Sequence, residues 1–268
     1  MDVFLVPEDF PTIRAAVNAI VNPTTIVIAP GDYAESVEIV ARQYVVLQSA
    51  RLSRRGVTIS GSGGDAVLSV ERSIIHLSGI EIRSNGQRRG IAVVGGSISL
   101  QECIIAGNRS GTPGAAMNCV NANVRIQKSM LAGNTVDSES APLTGGGALY
   151  LLDCQVEIAG ASIQANAVYG TNAARGGGIW AEGGRMRMWR SRVTDNALHA
   201  PSTEGGGIYF AGSEGARIGG SVISGNNSAA GRGGGIFIDG VAGRVVIHPN
   251  TAVRQNHEDD VYVASVTS

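Results

Sequence analysis

Four Gly-Gly-Gly triplets begin at Gly145, Gly176, Gly205 and Gly233, and between them an Asn recurs as Asn108, Asn134, Asn166, Asn196, Asn226 and Asn256. The Asn spacings are 26, 32, 30, 30 and 30 residues. A fixed period of this size belongs to chains that stack one small unit on the next, so it constrains the fold more tightly than any composition does. Three residues before the Asn, the column reads Ile105, Leu131, Ile163, Val193, Ile223 and Val253. Eight residues before it, the column reads Leu100, Ile126, Ile158, Met188 and Ile218. All of these named members are apolar.

Inside a repeat the pattern alternates. Arg185-Met186-Arg187-Met188 puts Met on one face and Arg on the other, the period of two that indicates a strand. Each of the last three triplets leads into a second short strand, Gly-Ile-Trp-Ala, Gly-Ile-Tyr-Phe or Gly-Ile-Phe-Ile. Several short strands per repeat, with small residues and Asn at the corners, predict one turn of a parallel β-solenoid whose coils rise about 4.8 Å each. The leucine-rich horseshoe would need fixed Leu positions and a helical back, and the repeats have neither.

Composition agrees. Glycine, 38 of 268 residues, is about twice its usual share of roughly 7% and argues against helices. With 43% hydrophobic residues and 8 Pro, the chain is neither a disordered linker nor collagen. Its 21 Lys and Arg against 22 Asp and Glu disfavour nucleic acid or an anionic membrane as partner. No apolar run is long enough for membrane insertion. Cys103, Cys119 and Cys154 lack zinc or disulfide spacing and read as buried small hydrophobes. With no Asp cluster for calcium either, neither a metal nor a cofactor is expected.

The opening stretch differs from the repeats. Phe10 to Ile20, with Pro11 near its start, reads as a short amphipathic helix able to cover the first open coil. Thr25-Ile26-Val27-Ile28, a turn at Pro30-Gly31-Asp32, Val37-Glu38-Ile39 and Tyr44-Val45-Val46-Leu47 follow as the first coil. The expected organisation is one domain over 1–268: a cap region at 1–24, coils at 25–256, and a partial coil at 257–268 whose acidic residues blunt the open edge.

Phe10-Pro11-Thr12-Ile13 through Ala15-Ala16-Val17, followed by Thr25 to Glu35, resembles the capping helix and first coil of right-handed parallel β-helix proteins of the pectate-lyase-like class. The triplet and Asn repeats are similar to those of β-helical surface proteins. The resemblance implies an all-β solenoid of about eight or nine coils, internal Asn ladders and a secreted or cell-surface setting. The start Met1-Asp2-Val3-Phe4-Leu5 has neither the basic nor the long apolar region of a secretion signal, so the residues alone suggest a cytoplasmic chain or a removed signal.

In a solenoid each alignment column becomes a line on the surface. The Asn column is read as structural, since Asn tolerates the left-handed conformation at tight bends and stacked amides hydrogen-bond along the axis. The triplets are not phosphate loops, because none is followed by Lys-Ser/Thr or a helix. Alternation turns Trp180, Tyr209 and Phe237 outward on consecutive coils, beside Glu182 and Asp239, and such a strip either suits the apolar faces of sugar rings or a protein partner, or is buried by long loops that fold over it.

The loop after each Asn gives Asp137, Tyr169 and His199 at equivalent places, and the residue before the triplet is Arg175, Glu204 or Arg232 in the last three coils. This set predicts a catalytic group in which Arg175 or Arg232 neutralises a uronate carboxylate while His199 or Tyr169 moves a proton. Glu182 and Glu204 could instead run hydrolysis. A further outward column, Arg125, Glu157, Arg187 and Arg217 with Arg185 beside it, predicts a solvated ion-pair ladder or a strip for an anionic polymer.

The sequence thus points to a carbohydrate-active protein, a polysaccharide lyase or hydrolase with a glycan as partner. The competing reading is a non-catalytic module that binds glycans or proteins, or a spacer. Oligomeric state stays open.

Overall fold

A computed structural model describes residues 1–50, 56–61, 63–212, 214–229, 231–240 and 244–264. The last four positions of the expected C-terminal partial coil, 265–268, lie outside the described residues. Among the described residues, seventeen strands from Asp2–Val6 to Val261–Val263 join one sheet, and further sheets of nine, five and four strands run beside it. The paired strands are parallel, each with the equivalent strand of the next coil, as in Gln155–Ala159 with Arg185–Trp189. This is the predicted parallel β-solenoid.

The coil turns where a residue adopts positive φ. One corner column is Asn121, Asp153, Gly183 and Gly212, with φ of 52°, 52°, 68° and 53°. It bends Leu149–Leu152 into Gln155–Ala159 within the same broad sheet. Another corner comprises Gly107, Gly133, Ala165, Asp195 and Gly225. The residues of the Asn ladder follow that corner by one position and are not themselves left-handed, which corrects the sequence expectation. What fixes Asn there is hydrogen bonding. From Asn108 to Asn226, each backbone N–H and each Nδ2 donates to Oδ1 of the next Asn, at 2.8–3.1 Å. Nδ2 also donates to a backbone carbonyl one coil earlier, Ile105 in the case of Asn134. Asp260 ends the ladder by accepting from Asn256 Nδ2 at 2.9 Å.

The two apolar columns stack inside the coils, and all members from Leu100 to Ile223 are fully buried. Each such side chain contributes about 1.5–3 kcal/mol of burial. A second internal set of hydrogen bonds, outside the Asn column, runs through serines: Ser129, Ser191 and Ser221 accept through Oγ from the backbone N–H of Cys103, Ala161 and Ser191. The three cysteines are free and buried, and burial pushes the Cys103 thiol up to about 11.

At the N-terminal end the helix is shorter than predicted, Ile13–Asn18, with Thr12 as its cap accepting from Ala15 N–H. Glu35 accepts from the N–H groups of Ile13 and Arg14, tying the helix to the first coil. Ahead of it, Asp2–Val6 pairs with Thr24–Ile28, adding a strand where the sequence suggested only a cap region. Among the described residues no helix is long and apolar enough to cross a membrane.

Candidate functional site

The aromatic column extends over five coils, in the register Tyr150, Trp180, Tyr209, Phe237 and Tyr262. Its rings face away from the main core, as alternation requires, yet Trp180, Tyr209 and Phe237 are only 6%, 0% and 4% exposed. The cause is a roof. The four-stranded sheet, made of Leu143–Gly145, Ala173–Arg175, Ser202–Glu204 and Gly231–Arg232, precedes the triplets and folds back over the rings. The triplets make that fold possible: Gly176 has φ +61°, and a Cβ on Gly177 would sit 2.2 Å from the Gly206 carbonyl oxygen. Trp180, Tyr209 and Phe237 therefore form a small core of their own with Leu143 and Tyr150, which is the covered alternative of the sequence reading and not the exposed sugar platform.

The polar residues expected around that platform hold the roof. The Arg175 guanidinium lies over the Tyr209 ring at 4.7 Å, and its Nε donates to Glu204 at 2.9 Å. The Tyr209 hydroxyl donates to Asp239 at 3.0 Å. Burial holds that phenol far above its usual range, with Arg175 opposing and Asp239 reinforcing the shift. Arg232 covers Tyr262 at 4.8 Å and hydrogen-bonds its hydroxyl. Glu182 is half-buried at the end of its strand, where it adds to the rise that burial imposes on the Tyr150 phenol.

Asp137, Tyr169 and His199 pair in register on the five-stranded sheet. The Tyr169 and His199 rings stack at 4.5 Å and 10°, both exposed, while Asp137 is ion-paired to Arg109. Among the described residues no hydrogen bond or ring contact joins this group to Arg175 and Glu204, so the catalytic set drawn from the sequence divides between two sheets.

A different face carries free charge. On the broad sheet, the strands from Ser97 onward turn one row outward as Ser97, Asn123, Gln155 and Arg185, and the next as Ser99, Arg125, Glu157, Arg187 and Arg217. Rows lie about 6.7 Å apart along the strand, and members of a row about 4.8 Å apart along the axis. Arg125 pairs with Glu157 at 2.8 Å. That uses the acidic member of the expected ladder, and among the described residues Arg187 and Arg217 have no carboxylate within 4.0 Å. Arg185 reaches Glu214 only at 3.7 Å, with both side chains exposed. Two shallow cavities of about 440 and 470 Å³ meet at Arg185 and Arg187, and Arg217 and Arg244 line the second. The result is a groove of guanidinium forks, whose planar donors match carboxylate or sulfate oxygens in pairs. The Arg-Met-Arg-Met alternation carried this signal, although sign alternation in the column pointed to a closed ladder.

Comparison with known proteins accords with the geometry. The family model for the right-handed β-helix region matches residues 44–252. No curated protein sequence gives a significant match. Among solved structures, the crystal structure of the pectin methylesterase from Aspergillus niger in deglycosylated form is similar, with a TM-score of 0.51 at 13% identity over 100% of this chain and 90% of that one. At that identity the likeness speaks to the fold alone. Its ladder, its parallel coils and the family match together make this chain a member of the right-handed β-helix family.

Proposed function

We propose that the chain is a carbohydrate-active β-helix that binds an acidic polysaccharide along the arginine groove. The observation that carries this reading is the pair Arg187 and Arg217, outward on consecutive coils with no acidic partner among the described residues. Two like charges on residues paired across strands about 4.8 Å apart repel each other, and a polyanion laid along the axis relieves the repulsion while accepting several charge-assisted hydrogen bonds. A spacer would gain nothing from that arrangement. The similar solved structure is named for pectin, a polysaccharide, which agrees in ligand class.

Lyase or hydrolase action is the finer form of this reading. With Arg175 paired to Glu204 over the Tyr209 ring, two of the residues expected to act in turnover hold the roof, while Tyr169 and His199 stand on another sheet, so binding is the reading we favour. A panel of acidic and neutral polysaccharides, scored for retention and for new unsaturated or reducing ends, tests both forms. Retention of acidic members that is lost in Arg187→Ala/Arg217→Ala supports the groove. Equal retention by that variant refutes it.

A further inference from the structure

Beside the arginine rows, the same outward face carries a third row, Gln101, Gln127, Ala159, Trp189 and Gly219, in register on successive coils. Trp189 ends the strand that begins with Arg185 and lies two residues from Arg187. Unlike Trp180 it is half-exposed. Its indole leans toward the following coil and occupies the space of a missing side chain: a Cβ on Gly219 would come within 1.9 Å of the ring. His248 closes that side, with ring centres 5.1 Å apart. On the preceding coil the row holds only Ala159, too short to reach the indole. The ring borders a cavity of about 760 Å³ that Ala159, Gly219 and Gly220 also line.

That cavity is lined by primary amides and cations as well as by the ring. Gln101 and Gln127 stand on its N-terminal side, Asn250 on its C-terminal side, and Lys128 and Arg190 at its corners. Asn250 uses its carbonyl oxygen on Gly220 N–H at 2.9 Å, and Gln127 makes no side-chain hydrogen bond among the described residues. An apolar ring face flanked by amides that both donate and accept is the chemistry that holds a pyranose, with its C–H face on the indole and its hydroxyls on the amides.

We infer that Trp189 forms the stacking surface of a sugar-ring subsite, and that the polymer in the arginine groove is a glycan with a pyranose unit seated over Ala159. This rests on the groove reading for the acid groups and adds a contact independent of charge. A polyphosphate or another polyanion without ring faces would satisfy the arginines and gain nothing from Trp189.

The test uses the intact chain, a uronate tetrasaccharide and the same tetrasaccharide with its carboxyls reduced to alcohols, with affinity measured by calorimetry. Trp189→Ala is expected to weaken both ligands about tenfold, Trp189→Phe to recover most of the loss, and Ala159→Phe, which fills the cavity and leaves the indole in place, to block both. Arg187→Ala/Arg217→Ala is expected to weaken only the acidic ligand. Wild-type affinity in Trp189→Ala and Ala159→Phe overturns the subsite, even where the arginine variant still loses the acidic ligand. Absence of saturable binding to the wild-type chain overturns it as well. An arginine variant that binds normally, with both cavity variants impaired, removes the groove reading and leaves the subsite standing.

Discussion

The guanidinium carbon of Arg175 lies 4.7 Å from the centre of the Tyr209 ring, and the same side chain donates to Glu204 at 2.9 Å. Arginine here is a clamp on a buried ring. Arg175→Ala is expected to lower the free energy of unfolding by about 1–2 kcal/mol, and Tyr209→Ala by about 3–5 kcal/mol, while acidic polysaccharide still binds. Urea unfolding with a parallel binding assay checks this. Unchanged stability with lost binding would return Arg175 to a ligand site.

Asn166 sits mid-ladder, where its side chain accepts from Asn134 N–H and Nδ2 and donates to Asn196 and to the Leu131 carbonyl. Asn166→Ala leaves several buried groups without partners and should cost about 3–5 kcal/mol. Asn256→Ala, at the partly exposed end of the ladder, should cost less than half as much. Equal costs would mean that the ladder does not act as a buried network.

His199 stacks on Tyr169 at the surface of the five-stranded sheet, apart from the arginine groove. His199→Ala should change unfolding stability by less than about 1 kcal/mol and leave polysaccharide binding intact. Loss of binding or of any measured turnover in this variant would move the site to that sheet.

Burial pushes the Cys103 thiol up to about 11 from the usual 9.0 and the Cys119 thiol well above it. The unfolded chain therefore releases these protons first as the pH rises. The stability Cys103 contributes is complete below about pH 9 and is lost between about pH 9 and 11. For Cys103 the loss is on the order of 2–3 kcal/mol. Urea midpoints across that range should fall for the wild-type chain and fall less for Cys103→Ala. Identical slopes would contradict the assignment.

The solenoid was legible because its signal is repetition: Ile163 and Val193 occupy one column, and stacking coils of thirty residues brings Asn166 into contact with Asn196. The left-handed corner was misplaced by one residue, since Gly133, Ala165 and Asp195 share φ but not chemistry, whereas the neighbouring Asn is constant for its hydrogen bonds. Alternation gave the side of the sheet on which Tyr209 lies. It could not give what covers that side, because the roof strands, Leu-Thr-Gly, Ala-Ala-Arg and Ser-Thr-Glu, share no apolar pattern. The arginine column allowed a closed ladder or an anion strip, and only spatial pairing decides between them, since Arg125 takes the single Glu157 and leaves Arg187 without a carboxylate within 4.0 Å among the described residues.

The central claim, that the groove at Arg187 and Arg217 takes an acidic glycan, is tested most directly by titrating a polyuronate against the wild-type chain and Arg187→Ala/Arg217→Ala at low and high salt. At roughly 1.4 kcal/mol per charge-assisted contact, the variant should bind about a hundredfold more weakly, and wild-type binding should weaken as salt screens the arginines. Equal affinity of the two proteins, or wild-type binding indifferent to salt, would contradict the account.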